Sequence, residues 1–274
     1  MNPPDLSAWY HHNLNPIAIT FGDVHIPWYW LVYICGWFWC AWVFNRVADV
    51  GPGSSSELSR RSYVDSFLLW GWLALLVCAR LTYILVYNPS HYLAHPDQVL
   101  ALWNGGMSFH GGFIGVVIAA WVISRKFHIS IFTLTDPIAL ATPIVLAFGR
   151  LANFANGELP GRISTVPWAV VFPAPFDGAP RHPSQLYEAL GEGVLVAIIL
   201  FAARRTLLKH PGYMSFAFTG LYAAARFFIE FTREPDPQLG LIAGFSMGQW
   251  LCAAMMVIAI VGARRLVTPP LPEP

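Results

Sequence analysis

The stretch PIALATPIVLAFGRLANFANGELPGR, Pro137 to Arg162, joins two unlike pieces of chain. Its first twelve residues, to Phe148, are uncharged and almost wholly apolar. The next fourteen hold two arginines, a glutamate, two asparagines and four glycine or proline residues. The first piece suits hydrocarbon, and the second needs a reason to stand at its edge.

The surrounding chain has the composition of a membrane protein. Of its 274 residues 56% are hydrophobic and 11% charged, against about 25% charged in a typical soluble domain. Apolar runs near 20 residues, the length that crosses a core of about 30 Å, number seven: Ile26 to Asn45, Phe67 to Tyr87, His110 to Ser124, Pro137 to Asn156, Leu186 to Ala203, Tyr213 to Phe231 and Leu239 to Ala263. These predict an all-α membrane protein, one transmembrane catalytic domain over residues 1–274, with an outer N-terminal segment 1–25 and an outer insertion 157–185. The N-terminal segment lacks a basic start and an unbroken apolar core, so it reads as retained rather than as a signal peptide.

Ten of the sixteen lysines and arginines fall in the first, third and fifth connections and the C-terminal tail. The positive-inside rule sets those segments in the cytoplasm, the N-terminus outside and the C-terminus inside. Six arginines remain: Arg80, Arg150, Arg162, Arg181, Arg226 and Arg233. With alternate spans running in opposite directions, Arg80, Arg150 and Arg226 share the outer-leaflet level with Tyr29, His110 and Glu188. The connection from Gly157 to Gln185 holds six prolines and the piece WAVVF, which predicts an ordered outer loop with one strand.

An arginine in a span is a functional hypothesis by default, and its planar fork of donors suits phosphate oxygens. Glu230, four residues after Arg226, and Glu158, four before Arg162, are placed to hold those arginines if each turn is helical. Arg233, just past the sixth span, reads as an arginine that reaches headgroups. In SFHGGFIG, Ser108 to Gly115, His110 is the side chain whose ordinary pKa lies near neutrality, and the glycines allow close approach. In RHPSQLYEA, Arg181 to Ala189, Ser184 suits a helix N-cap, with Tyr187 and Glu188 as rim residues.

Several classes are excluded. A net charge of +1 with no basic run gives nucleic acid nothing to bind. Cys35, Cys40, Cys78 and Cys252 lack metal or redox spacing, the nine histidines lack ligand spacing, and no hydrolase elbow, HExxH or Walker loop occurs, so no metal and no cofactor is expected. The seventh span carries no lysine, which removes a retinal-type receptor. The arginines leave two readings, an enzyme acting on phospholipid and a seven-span lipid transporter or headgroup-binding protein.

GRLANFANGELPGR, with SFHGG, HPSQLYEA, RFFIEFTREPD and the Trp-Tyr of PWYW, resembles the prolipoprotein diacylglyceryl transferases of bacteria along nearly the whole chain. The resemblance implies an enzyme of the bacterial inner membrane with its site toward the outer leaflet. It would join the diacylglyceryl group of phosphatidylglycerol to the lipobox cysteine of a preprolipoprotein signal peptide and release glycerol phosphate. The family's functional positions match Tyr29, His110, Arg150, Asn153, Glu158, Gly161, Arg226 and Glu230, and Arg80 with Tyr83 of ARLTY form a further family pair. The expected catalytic set is His110, Arg150, Arg226, Glu158, Glu230 and Tyr29. The expected phosphatidylglycerol-binding set is Arg150, Asn153, Gly161, Arg226, Arg80 and Tyr83. Ala152, Ala155 and Trp30 depart from the usual pattern in size without removing a polar group.

Overall fold

The computed structural model describes residues 9–47, 57–101, 106–173, 175–234 and 241–267, with 57–60, 109–110 and 267 described by their backbone alone. Each apolar run overlaps a helix, but the seventh, expected from Leu239, becomes helical only at Met247, after residues 239–240, which lie outside the described residues, and a short hairpin over 241–246. The helices are α1 (Trp28–Val47), α2 (Glu57–Thr82, continued by a π turn Tyr83–Tyr87), and, after the short α3 (Pro89–Ala94), α4 (Phe109–Phe127) and α5 (Phe132–Ala155). Next come α6 (Ser184–Glu188), running through a π segment Ala189–Leu195 into α7 (Val196–Leu207), then α8 (Tyr213–Ile229) and α9 (Met247–Val267). Among the described residues four helical stretches are long and apolar enough to cross a membrane: Arg61–Tyr87, Phe132–Ala155, Ser184–Leu207 and Met247–Leu266. Their outward faces are apolar, with Leu69, Trp70, Phe148, Ile198 and Ile258 all more than half exposed, the reverse of a surface built for water.

The chain divides into two compact units, residues 44–135 and, around them in sequence, residues 1–43 with 136–274. In the first, small residues let α2 and α4 pack backbone to backbone, as membrane helices do where no side chain intervenes. A Cβ on Gly111 would strike the Cys78 carbonyl and one on Gly115 the Ala74 carbonyl.

In the second unit, the buried Asp136 near the start of α5 accepts hydrogen bonds from the Gly212 and Ser215 amides (2.7 and 2.9 Å) and the Ser215 hydroxyl (2.5 Å). It thereby caps α8 from another helix. At the other end, short strands β1 (Tyr10–His11), β4 (Val170–Val171) and β5 (Pro180–Arg181) form one sheet, with β1 parallel to β4. The strand expected in WAVVF is β4. His12 follows β1 and is buried, its Nε2 2.6 Å from the Phe154 carbonyl and its ring stacked on Phe172. Strands β2 (Ile17–Phe21) and β3 (Val24–Pro27) make a hairpin leading into α1, and β6 (Leu241–Ile242) and β7 (Phe245–Ser246) make one leading into α9.

Candidate active site

Six charged residues of the second unit come together where α5, the α6 segment and α8 meet. Glu188, the last residue of α6, and Glu192, four residues on within the π segment, are fully buried. Glu188 is shared by three arginines: its Oε2 lies 2.7 Å from Arg150 Nε, its Oε1 lies 3.7 Å from Arg226 Nη1, and Arg233 Nη1 donates to Oε1 as well. Glu192 stands 3.6 Å from Arg150 Nη2 and 3.3 Å from Arg226 Nη1. Glu230, one turn after Arg226, pairs with it at 2.8 Å and with Arg233 at 3.4 Å. Ser246 donates to Glu230 at 3.1 Å, and a Cβ on Gly248 would come within 2.7 Å of Glu230 Oε1, so the first turn of α9 lies against this carboxylate.

Three guanidiniums against three carboxylates leave no net charge, which is how a buried ionic group is tolerated. The two signs are not equally placed. Glu188 and Glu192 are fully covered, while the side chains of Arg150, Arg226 and Arg233 keep 21, 16 and 19% of their surface. The carboxylates therefore grip the forks from behind and leave part of each guanidinium open. Arg150 Nη1 and Arg226 Nε make no hydrogen bond or ion pair within the described residues. Such donors, fixed before a ligand arrives, are what a phosphate needs.

This arrangement corrects two sequence expectations. Arg233 is not turned to headgroups but belongs to the cluster, and Glu188 is its centre rather than a rim residue. Glu192 was missed, although its signal is plain: a second glutamate four residues after Glu188 in an apolar run.

A second set stands just beyond Arg150. Tyr29 donates to Glu158 Oε2 at 3.0 Å, Asn153 donates to both Tyr29 and Glu158, and Asn156 donates to Glu158 Oε1 at 3.2 Å. Glu158 thus takes neutral donors, and the expected pair with Arg162 does not form. Gly157 and Leu159 both have positive φ (68° and 55°), which ends the helix and spoils the four-residue spacing. Arg162 instead donates from Nε to the Arg233 carbonyl at 2.6 Å.

Gly161, expected to touch lipid, is buried in a backbone crossing. It bridges Arg233, its amide donates to the His182 carbonyl at 2.9 Å, and a Cβ would strike the Thr232 carbonyl. Ser184 is not an N-cap: it lies inside the first turn, and its hydroxyl donates to the Leu159 carbonyl.

Around this crossing, Trp168 donates to the Tyr187 hydroxyl at 2.6 Å, which leaves the Tyr187 hydrogen for His182 Nδ1 at 3.2 Å. Partial burial pushes the His182 pKa down, favouring the neutral ring that this bond requires. Arg181 bridges Asp177 and Glu234, and its hydrogen bond holds the Asp177 carboxyl below the usual range.

The other expected residues lie in the first unit. Tyr83 opens the π turn and stacks on Tyr87. His110 is the second residue of α4, and its side chain lies outside the described residues. Arg80, expected to hold phosphate, is 5% exposed and donates to four backbone carbonyls, those of Gln98, Val99, Ala101 and Gly106. Among the described residues no group of three or more His, Cys, Asp or Glu side chains could hold a metal ion.

The chain is similar to proteins that carry one name. It is 43% identical over 252 residues to a phosphatidylglycerol–prolipoprotein diacylglyceryl transferase of Cupriavidus metallidurans, covering 92% of this chain and 93% of the relative. A Bordetella bronchiseptica protein of the same name is 44% identical over 248 residues, 89% of this chain and 92% of its own. One from Agrobacterium fabrum is 41% identical over 268 residues, 94% of each. The model of the prolipoprotein diacylglyceryl transferase family matches residues 16–264. That range takes in the arginine cluster, the Tyr29–Asn153–Glu158 set and the α2–α4 pair alike, and the chain belongs to the prolipoprotein diacylglyceryl transferase family.

Proposed function

We propose that this protein transfers the diacylglyceryl group of phosphatidylglycerol to the thiol of the lipobox cysteine in a preprolipoprotein signal peptide, releasing glycerol phosphate. The observation that carries the reading is the pair Arg150 and Arg226, anchored on buried glutamates with donors left over. In the reaction the sulfur attacks the glyceryl carbon bonded to phosphate oxygen, that C–O bond breaks, and its electron pair leaves with the phosphate. Arg150 and Arg226 bind the phosphate and stabilise the charge it gains. Glu188, Glu192 and Glu230 hold the forks in place. Tyr29, Asn153 and Glu158 tie the start of α1 to the end of α5, one turn beyond Arg150.

A thiol of ordinary pKa about 8.5 is only a few per cent thiolate at neutral pH. His110 is assigned its proton on the chemistry of imidazole. The helices that carry the seven apolar runs are assigned as seven spans, with the N-terminus and the 157–185 loop outside, the C-terminus inside, and the site toward the outer leaflet of the bacterial inner membrane. The charge asymmetry of the connections supports that orientation.

The test is release of glycerol phosphate from headgroup-labelled phosphatidylglycerol in vesicles, with and without a lipobox peptide. Peptide-dependent release is expected. Lipid binding without release would leave a headgroup-binding or transport protein.

A further inference from the structure

We propose that Arg80 is a positioning residue that fixes the start of α4, and with it the backbone of His110, rather than a ligand for the lipid phosphate. This rests on the assignment of His110 as the acceptor of the thiol proton.

One turn of α2, Cys78 to Thr82, holds the first turn of α4 directly. The Ser108 amide donates to the Ala79 carbonyl at 3.0 Å. Ser108 then caps α4, its hydroxyl accepting from the Gly111 amide at 3.3 Å and its carbonyl from the Gly112 amide at 3.0 Å. Gly111 is pressed so close that a Cβ would meet Thr82 Oγ1 at 2.5 Å. His110 lies between these fixed points, so its backbone position is set by the same turn of α2.

Arg80 leaves that turn and gathers the chain that leads into it. Its Nη2 donates to Gln98 (2.7 Å) and Ala101 (3.3 Å), its Nε to Val99 (2.9 Å), and its Nη1 to Gly106 (3.1 Å). One guanidinium thus ties both residues 98–101 and Gly106 to α2. The Tyr92 ring lies under the cation at 5.1 Å. At Gly106 the backbone has φ +78°, and a Cβ would stand 2.8 Å from Arg80 Nη1 and 2.6 Å from the Tyr83 ring. Tyr83 therefore packs the same crossing. A guanidinium 5% exposed and ringed by carbonyl oxygens would have to give up those bonds to take a phosphate, whereas Arg150 and Arg226 keep donors in hand. Lysine carries the charge but not the planar fork, so it cannot bind carbonyls on both sides.

The experiment compares Arg80→Lys, His110→Asn and the double variant in vesicles, with phosphatidylglycerol and a lipobox peptide, across pH. Membrane-inserted protein is quantified so that rates are per folded molecule. If Arg80 positions His110, kcat falls roughly 10- to 100-fold, the range a displacement near 1 Å produces. KM for the lipid stays within about twofold, the acid limb of the pH profile changes as it does in His110→Asn, and the double variant is no slower than His110→Asn within about twofold. Should Arg80→Lys fail to insert, Gly106→Ala disturbs the same crossing and carries the same expectations. A raised KM with kcat unchanged would make Arg80 a phosphate ligand, and a fully multiplicative loss in the double variant would make it independent of His110; either overturns the proposal. If His110→Asn itself keeps activity within about tenfold and an unchanged acid limb, the proton assignment fails first and the proposal with it.

Discussion

Glu188→Gln is the substitution that tests the arginine cluster most directly. Glutamine fits the space of the glutamate, but three guanidiniums would then share two carboxylates, leaving one uncompensated positive charge. Arg233 Nη1 donates a charge-assisted hydrogen bond to Glu188, worth about 1.5 to 3 kcal/mol, and Arg150 Nε forms a close ion pair with it at 2.7 Å. The contact to Arg226 at 3.7 Å is longer and weaker. The arginines keep 16 to 21% of their side-chain surface, so water recovers part of what is lost. Roughly 2 to 3 kcal/mol of transition-state stabilisation should go, a fall in kcat of about 30- to 150-fold. Lipid KM should not rise, because the added positive charge favours an anionic headgroup. The assay is glycerol phosphate release at saturating peptide, normalised to inserted protein. Glu188→Asp keeps the charge on a shorter arm and should lose less. Turnover of Glu188→Gln within threefold of wild type, or Asp faring worse than Gln, would refute the idea that charge at this position holds the forks.

Arg233→Lys should slow turnover about tenfold, since lysine can keep one of the contacts to Glu188 and Glu230 but not both; steady-state kinetics would show it. Asp136→Asn should lower stability by about 1 to 3 kcal/mol by weakening the cap on α8 and leave kcat of the folded enzyme unchanged, as thermal unfolding and activity measured together would report. Arg181 holds the Asp177 pKa down, so this pair adds stability above about pH 4, and the contribution is lost as pH falls through the lowered value; Asp177→Asn should flatten the acid side of a melting-temperature series. Cysteines placed at Pro175 and Gly53 and treated with an impermeant maleimide on intact spheroplasts should react at Pro175 alone, and reaction at Gly53 would reverse the orientation.

Much of this was legible in the chain. Each of the seven apolar runs overlaps a helix, and among the described residues four helical stretches are long and apolar enough to cross a membrane, where hydrocarbon demands both apolar side chains and internally bonded backbone; both demands mark the sequence. The i, i+4 pair of Arg226 and Glu230 could be read the same way. What was not legible depends on backbone geometry. The turn after Asn156 looked capable of continuing as helix, but the positive φ of Gly157 and Leu159 sends Glu158 to Tyr29 and Asn153 instead of Arg162. The π segment Ala189–Leu195 has no compositional mark, yet Glu192 sits in it beside Gly193, where a Cβ would come within 2.5 Å of the Ala147 side chain. Arg80 and Arg150 look alike in sequence, each near the end of an even run. Only the backbone carbonyls around Arg80 distinguish an arginine that organises a connection from one with donors to spare.

The parallel pairing of β1 with β4 sets a timetable for biogenesis. Tyr10 pairs with Val170, so the two are 160 residues apart in the chain. At roughly 5 to 20 residues per second, the N-terminal segment waits on the order of 10 to 30 seconds for its partner strand to be made. Within that interval residues 44–135, which form their own compact unit, are synthesised and can fold. The enclosing unit cannot close until its two parts, separated by this insertion, meet late in synthesis. A ribosome-bound chain stopped before Val170 should therefore carry a formed α2–α4 pair and an N-terminal segment still open to protease.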